Sequence, residues 1–369
     1  MVVFRDREEE VGGDDGEQSP TIVLRRLVDG YQISQALYVV ATLGIADLLG
    51  DGRRASDDLA EQVGAHSESL HRVLRALASV GVLRDHDDGS FSLTAVGQCL
   101  RSDAPQPVGG WAVFIGRPYQ WTAWGHLLDG ILSGKTAFVS VHGMSGWEYR
   151  AQHPEENAIF DRAMTDLTRR VSESIVDAHD FARYRTVMDV GGGRGALLAA
   201  LLRRHSHLRA ILFDQPHVVA GAAGPLDEAS VRSRCDIVAG SFFDSVPPGA
   251  DAYILKTVLH DWDDEHARRI LRQCRRAMTD AGVLVLAEWD LGGPCAARDA
   301  KFSDLQMMVG NGGRGRTVDQ FASLLRDTGF RLESHAPTPI GLAVMECLPV
   351  SLQGRSAQTS SQSLGLANA

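Results

Sequence analysis

The chain has 369 residues, 44% hydrophobic and 23% charged, and its 47 acidic against 37 basic side chains leave a formal net charge of −10. That is more chain than a single core of about 250–300 residues absorbs, so two domains are expected, and the acidic balance opposes a surface built to neutralise nucleic-acid phosphate. The longest apolar runs, such as Gly282 to Ala287, fall far short of the roughly 20 residues of a membrane span, and the first residues carry no basic stretch leading into an apolar one; a cytoplasmic location is expected.

Residues 1–18 are charged and Gly-rich and residues 350–369 are rich in Ser, Gln and Gly, so both are expected to be disordered tails. Five cysteines, Cys99, Cys235, Cys274, Cys295 and Cys347, stand far apart with no C-x-x-C pair, which fits reduced thiols, mostly small core hydrophobes. No His, Cys, Asp and Glu cluster has metal-ligand spacing, so no metal is expected.

Residues 19–104 read as a first domain. Ile22, Leu24, Leu27, Val28, Tyr31, Ile33, Ala36, Leu37, Val40 and Leu43 recur at helical spacing until Gly44. Ser56-Asp57-Asp58 predicts a cap and acidic first turn for a short helix through Val63, and Ser67 the cap of a longer one carrying Leu70, Val73, Leu74, Leu77 and Val80. Leu83 and Phe91 then flank Asp87-Asp88-Gly89, a hairpin signal. Helices followed by a hairpin make a winged helix, whose common use is reading DNA. Here Asp57, Asp58, Glu61, Asp85, Asp87 and Asp88 surround the second helix, and phosphate would be repelled, so a dimerisation module is the favoured reading and no nucleic-acid partner is expected.

Residues 105–180 read as a helical connector, rich in aromatics (Trp111, Phe114, Trp121, Trp124 and Trp147 among them) that serve as core or wall a pocket for a planar ligand. From 181 to 349, short apolar strands alternate with helices, the signature of a parallel sheet covered on both faces, with ligands at the carboxyl ends of its strands. The fold class is α/β, a Rossmann-like sheet behind an all-α winged-helix domain.

The first strand of that region ends in Asp189-Val-Gly-Gly-Gly-Arg-Gly195 and runs into a helix. Gly191, Gly193 and Ala196 satisfy the dinucleotide pattern, with Asp214 following at the end of the next strand. Asp189 separates the alternatives. A carboxylate in the turn opposes a pyrophosphate and attracts an ammonium or sulfonium, so the loop fits S-adenosylmethionine, with Asp214 accepting from the ribose hydroxyls. Phe242 or Phe243, just past the following strand, offers a flat face for adenine. Further on, Leu255-Lys-Thr-Val-Leu-His-Asp-Trp-Asp-Asp264 places His260 at the carboxyl edge of the sheet, where an imidazole is suited to taking a proton near neutral pH.

These motifs, with Phe213-Asp-Gln-Pro216, Gly240-Ser-Phe-Phe, Asp304-Leu-Gln-Met and Gly312-Gly-Arg-Gly-Arg-Thr317, resemble the plant caffeic acid and flavonoid O-methyltransferases and their bacterial relatives of secondary metabolism, over about residues 20–349. The resemblance implies an S-adenosylmethionine-dependent homodimer acting on a small aromatic hydroxyl compound, joined through its N-terminal domain. It implies His260 as general base, Glu288 as the carboxylate that holds its imidazole, and Asp189, Gly191, Gly193, Asp214, Ser241, Phe242 and Lys256 around the cofactor. It further implies Met164 and Met307 on the faces of the acceptor ring, and Asn311 as a polar group of the pocket. Two positions depart from the pattern: Ser241 stands where many relatives have an adenine-binding aspartate, and Gly315 where most have a second carboxylate beside the histidine. That second departure admits a relative that keeps the cofactor but hydroxylates or decarboxylates, and a DNA-binding regulator is the remaining alternative.

Overall fold

The computed structural model describes residues 19–292 and 297–350; Cys295 and, Val350 apart, the two expected tails lie outside them. The chain forms two units, one from residues up to 121 together with 158–167, the other from 122–157 together with 168 onward. The segment expected as a connector, 105–180, is therefore divided between them.

In the first unit, helices Pro20–Val28, Gly30–Thr42, Ile45–Leu49, Ser56–Val63 and Ser67–Ser79 precede a hairpin. Strands β1 (Arg53–Ala55), β2 (Leu83–Asp85) and β3 (Ser90–Leu93) pair antiparallel in the order β1-β3-β2, which is the winged arrangement expected. Leu59, Leu74 and Phe91 are fully buried at its centre. Two caps fall one residue earlier than the sequence suggests. Ala55 precedes the first short helix, because the Ser56 hydroxyl pairs with Nδ1 of His71 (3.1 Å), and His66 caps the second by accepting from the Ser69 N–H. Residues 105–121 join this unit through close backbone approach. A Cβ at Gly116 would lie 2.1 Å from the Tyr38 ring on helix Gly30–Thr42, and the Gly110 N–H donates to Asp166 at 3.2 Å. The amphipathic face at the start of the unit is uncovered: helix Pro20–Val28 buries no residue, and Leu24, Val28 and Tyr31 are more than half exposed.

The second unit is built on seven strands, β4 (Thr186–Val190), β5 (Arg209–Asp214), β6 (Cys235–Ala239), β7 (Ala252–Lys256), β8 (Val283–Trp289), β9 (Phe330–Pro337) and β10 (Leu342–Pro349), in the order β6-β5-β4-β7-β8-β10-β9. The first five are parallel. The expected parallel sheet is extended at its far edge by two more strands, where β10 runs antiparallel to both β8 and β9. Alternation along the strands fills two cores: Val187, Ile254 and Val285 on one face, with helix Ala196–Arg204, and Met188, Tyr253 and Leu284 on the other, with helices Asp264–Ala277 and Val318–Asp327. The strand order reverses between β4 and β7, and the crevice at such a reversal, beyond the carboxyl ends of the strands, is where open α/β sheets take ligands. Cys235, Cys274 and Cys347 are buried free thiols and Cys99 is exposed. Among the described residues, no helix is long and apolar enough to cross a membrane.

Candidate active site

Beyond β4 the chain turns through Gly191, Gly193 and Gly195 at φ of +75°, +62° and +82°, left-handed values that glycine alone takes without cost, and enters helix Ala196–Arg204. Gly192 is required for space: a Cβ there would lie 2.6 Å from Leu212 Cδ1 and 2.7 Å from Asp189 Cγ. Asp189 is 1% exposed, and neither carboxylate oxygen has a hydrogen-bond partner among the described residues. Burial pushes its carboxyl up to about 7, against the pull of the Lys256 ammonium. A buried acid left without a partner is costly, and one set in a glycine turn at a strand end matches a small cation. The site therefore fits the ammonium and sulfonium of S-adenosylmethionine.

Asp214 ends β5 with its carboxylate accepting from the N–H groups of Gly193 (2.8 Å) and Gln215 (2.6 Å), which fixes it beside the glycine turn. Past β6, the Ser241 hydroxyl accepts from the Phe243 N–H at 3.2 Å. Phe242, Phe243 and Trp262 pack edge to face, and a Cβ at Gly191 would come within 3.4 Å of the Phe242 ring.

Lys256 ends β7, its ammonium donating to the hydroxyls of Thr168 and Thr257, both at 2.9 Å, while burial lowers its pKa. Thr257 holds φ at +49°, an uncommon value for a β-branched residue. The short 3-10 turn Leu259–Asp261 follows and carries His260. Glu288, fully buried on β8, accepts at Oε1 from the N–H groups of Val258 (3.0 Å) and Leu259 (2.8 Å) and turns Oε2 to within 3.8 Å of His260 Nδ1. On the other side, His260 Nε2 lies 3.8 Å from Asp261 Oδ1. Burial drives His260 down to about 3, helped by the Lys256 and Arg316 cations, and drives Glu288 up to about 8 and Asp261 up to about 7.

Asn311, at the end of helix Arg298–Gly310, donates to Asp261 Oδ1 at 2.8 Å and sits beside Met307 Sδ. A Cβ at Gly146 would meet Asn311 Oδ1 at 3.2 Å and Arg150 Nη1 at 3.3 Å, and Trp147 stacks on Trp262 with centroids 5.8 Å apart. Thus Asp189, Gly191, Gly193, Asp214, Lys256, His260 and Glu288 gather at the carboxyl edge of one sheet. Ser241 and Phe242 follow its β6 strand, and Met307 and Asn311 are tied to the His260 turn through Asp261. Met164 lies half-buried on helix Pro154–Ala178 within the first unit.

Two residues of the site were not singled out in the sequence. Asp261 was visible only as the neighbour of a candidate histidine. Arg316, 1% exposed, gives Nη1 to the Leu259 carbonyl and Nη2 to that of Trp262 (both 2.8 Å), and its Nε and Nη2 grip Asp264. Gly315 is enclosed, since a Cβ there would lie 2.6 Å from Leu291 Cδ1 and 3.1 Å from Asp304 Cβ.

A glycine turn with a buried acid suited to a cation, beside a buried histidine and carboxylate at the carboxyl edge of the parallel strands, fits the S-adenosylmethionine-dependent class of methyltransferases. Residues 124–331 match the family model of the O-methyltransferase domain and residues 25–103 that of the O-methyltransferase dimerisation domain. The chain belongs to the S-adenosylmethionine-dependent O-methyltransferases. It is 42% identical over 328 residues to the phenazine O-methyltransferase PhzM of Lysobacter antibioticus, covering 89% of this chain and 96% of the relative, and 37% identical to the mitomycin biosynthesis 6-O-methyltransferase of Streptomyces lavendulae, covering 85% and 90%. Among solved structures, the O-methyltransferase NcsB1 of neocarzinostatin biosynthesis, in complex with S-adenosylmethionine and 2-hydroxy-5-methyl naphthoic acid, superposes with a TM-score of 0.71 at 31% identity, covering 86% of this chain and 96% of that one.

Proposed function

We propose that this enzyme methylates a hydroxyl on a flat aromatic metabolite, with His260 as the general base. S-adenosylmethionine supplies an electrophilic methyl group on a positively charged sulfur. The observation that carries the reading is the turn of Glu288 Oε2 toward His260 Nδ1 while Oε1 holds the backbone on which that histidine sits. With Glu288 ionised, Nδ1 keeps its proton and Nε2 presents a lone pair to the acceptor hydroxyl; the proton it takes makes an imidazolium that Glu288 stabilises. Asp189 attracts the cofactor's cationic end, Asp214 accepts from its ribose, Phe242 and Ser241 serve its adenine, Gly191 and Gly193 let it approach, and the Lys256 ammonium balances the two aspartates. Met307 and Asn311 border the acceptor.

Dimerisation through the first unit is supported by its family match and by its exposed apolar face, Ile22, Leu24, Leu27, Val28 and Tyr31, which a second copy would bury. The test is a mass-shift screen with methyl-labelled S-adenosylmethionine against catechol, 8-hydroxyquinoline, 1-hydroxyphenazine and 1,4-dihydroxy-2-naphthoic acid. Transfer of the label to oxygen of at least one of them, strongly slowed in His260→Ala, is the expected result. Label transfer undiminished in that variant removes His260 from its role.

A further inference from the structure

The turn that carries His260 has two anchors of opposite charge. Glu288 takes the N–H groups of Val258 and Leu259 on one side, and Arg316 takes the carbonyls of Leu259 and Trp262 on the other, so the peptide units flanking the histidine are fixed from both directions. Two further donors close within the turn, Asp261 N–H to the Val258 carbonyl and Trp262 N–H to that of Leu259. Arg316 is itself immobilised. Its guanidinium is 1% exposed, Asp264 accepts from Nε (3.0 Å) and Nη2 (2.8 Å), and Nη1 also reaches the Arg314 carbonyl at 3.2 Å. A planar fork with several fixed donors can do this, whereas a lysine ammonium, a single point of charge, cannot hold two carbonyls and a carboxylate in the same directions. The segment bearing Arg316 also lies flush against the turn: a Cβ at Gly313 would lie 2.2 Å from the His260 carbonyl oxygen.

We propose that Arg316 is the positioning residue for His260: through Leu259 and Trp262 its guanidinium sets where the imidazole stands against Glu288. The inference rests on His260 being the base. In a site with glycine at position 315, no side chain from that position can brace the imidazole, and the neighbouring Arg316 braces the backbone beneath it instead. A displacement of the turn by about 1 Å is enough to cost on the order of 10²-fold in a reaction that depends on alignment.

The test compares wild type, Arg316→Lys, Asp264→Asn, His260→Ala and the double variant His260→Ala/Arg316→Lys. Asp264 is 40% exposed and anchors the same fork, so Asp264→Asn provides a second, milder lesion should the lysine variant fold poorly. Each protein is saturated with S-adenosylhomocysteine and its histidines, 13 in wild type, are labelled at Cε1 for NMR, the His260 signal being assigned by its absence in His260→Ala. Expected in Arg316→Lys and Asp264→Asn is a displaced or broadened His260 signal with unchanged affinity for S-adenosylhomocysteine. Turnover of the best phenol of the panel named above falls about tenfold or more in kcat with the cofactor KM unchanged, and Arg316→Lys adds no further loss on the His260→Ala background. An unmoved His260 signal, a kcat equal to wild type, or a loss that multiplies with that of His260→Ala overturns the assignment, as does cofactor affinity lost in step with turnover in both variants. Full turnover in His260→Ala alone would instead overturn the base reading on which the inference stands, and the two failures are told apart by that one protein.

Discussion

Glu288 Oε2 lies 3.8 Å from His260 Nδ1 while the other oxygen of the same carboxylate is bound to the backbone just before that histidine. One side chain thereby holds the backbone of the turn and faces the imidazole. Burial holds Glu288 up at about 8 and His260 down at about 3, so near neutral pH Glu288 carries the proton and the imidazole is neutral. In that state Glu288 turns its proton toward Nδ1, and the imidazole's own proton stays on Nε2, which is left without a lone pair. Turnover should therefore rise with pH and level off above about 8, and Glu288→Gln should flatten this limb as well as lower the plateau. A kcat profile from pH 6 to 9.5 checks it; a limb centred near 6.5 in wild type would count against the pairing.

His260→Ala should slow transfer by about 10²–10⁴-fold, the usual contribution of a general base, and leave measurable turnover, because alignment of oxygen and methyl supplies a separate part of the barrier. Single-turnover rates with labelled cofactor measure the loss, and calorimetry should show cofactor affinity intact.

Cofactor binding should be coupled to Asp189. Its carboxyl, raised to about 7 by burial, must ionise to meet a cation, so binding below pH 7 expels a proton and affinity weakens as pH falls from 8 to 5.5. Calorimetry in buffers of different ionisation enthalpy reads the proton, and Asp189→Asn should bind weakly at every pH. The sign for the free protein is opposite. A carboxyl whose folded pKa is raised gives stability that is present at low pH and lost as pH rises through that value. With Asp189, Asp261 and Glu288 raised from ordinary carboxyl values near 4 to about 7, 7 and 8, the thermal midpoint of the free protein should fall from about pH 4 up to about pH 8 and level off above it, and the cofactor should restore more of it at the higher pH.

Gly192→Ala should cost about 1–3 kcal/mol by overpacking against Leu212 and Asp189 and displace the carboxylate. Thermal unfolding and cofactor titration of the purified variant measure both effects; wild-type affinity would show that the Asp189 position is not what the cofactor reads.

Gly315→Glu, which restores the carboxylate that the family resemblance leads one to expect, should not raise turnover here. Leu291 and Asp304 already occupy the space, so the expected outcome is a lower thermal midpoint and unchanged or reduced kcat. Leu291→Ala/Gly315→Glu should recover part of the midpoint.

The parts of the site legible in the sequence are those written in consecutive residues: the glycine turn with Asp189, the strand-end Asp214, and the His-Asp-Trp stretch after β7. Each depends on local chemistry, a left-handed turn, a strand terminus or a helix cap. Arg316 was not legible, because its partners lie 52 to 57 positions earlier and only the fold turns a basic residue in a glycine-rich motif into a buried clamp. The antiparallel edge escaped for a similar reason: Leu342–Pro349 is as apolar as the parallel strands, and strand direction is set by the chain's return path. Gly116 and Gly110 likewise carried no sign that they draw residues 105–121 into the first unit against Tyr38 and Asp166.

The insertion of β10 between β8 and β9 has a consequence for biosynthesis. In that register Ala343 pairs with Glu288, so the carboxylate that governs the histidine sits on a strand whose outer neighbour is made only after residue 341. A ribosome-bound chain can close the glycine turn and the first five strands well before that point, yet it lacks the partner that locks β8 into the sheet. The growing polypeptide would thus acquire a place for the cofactor before it acquires a supported base, and maturation of the catalyst waits on the final β-ribbon.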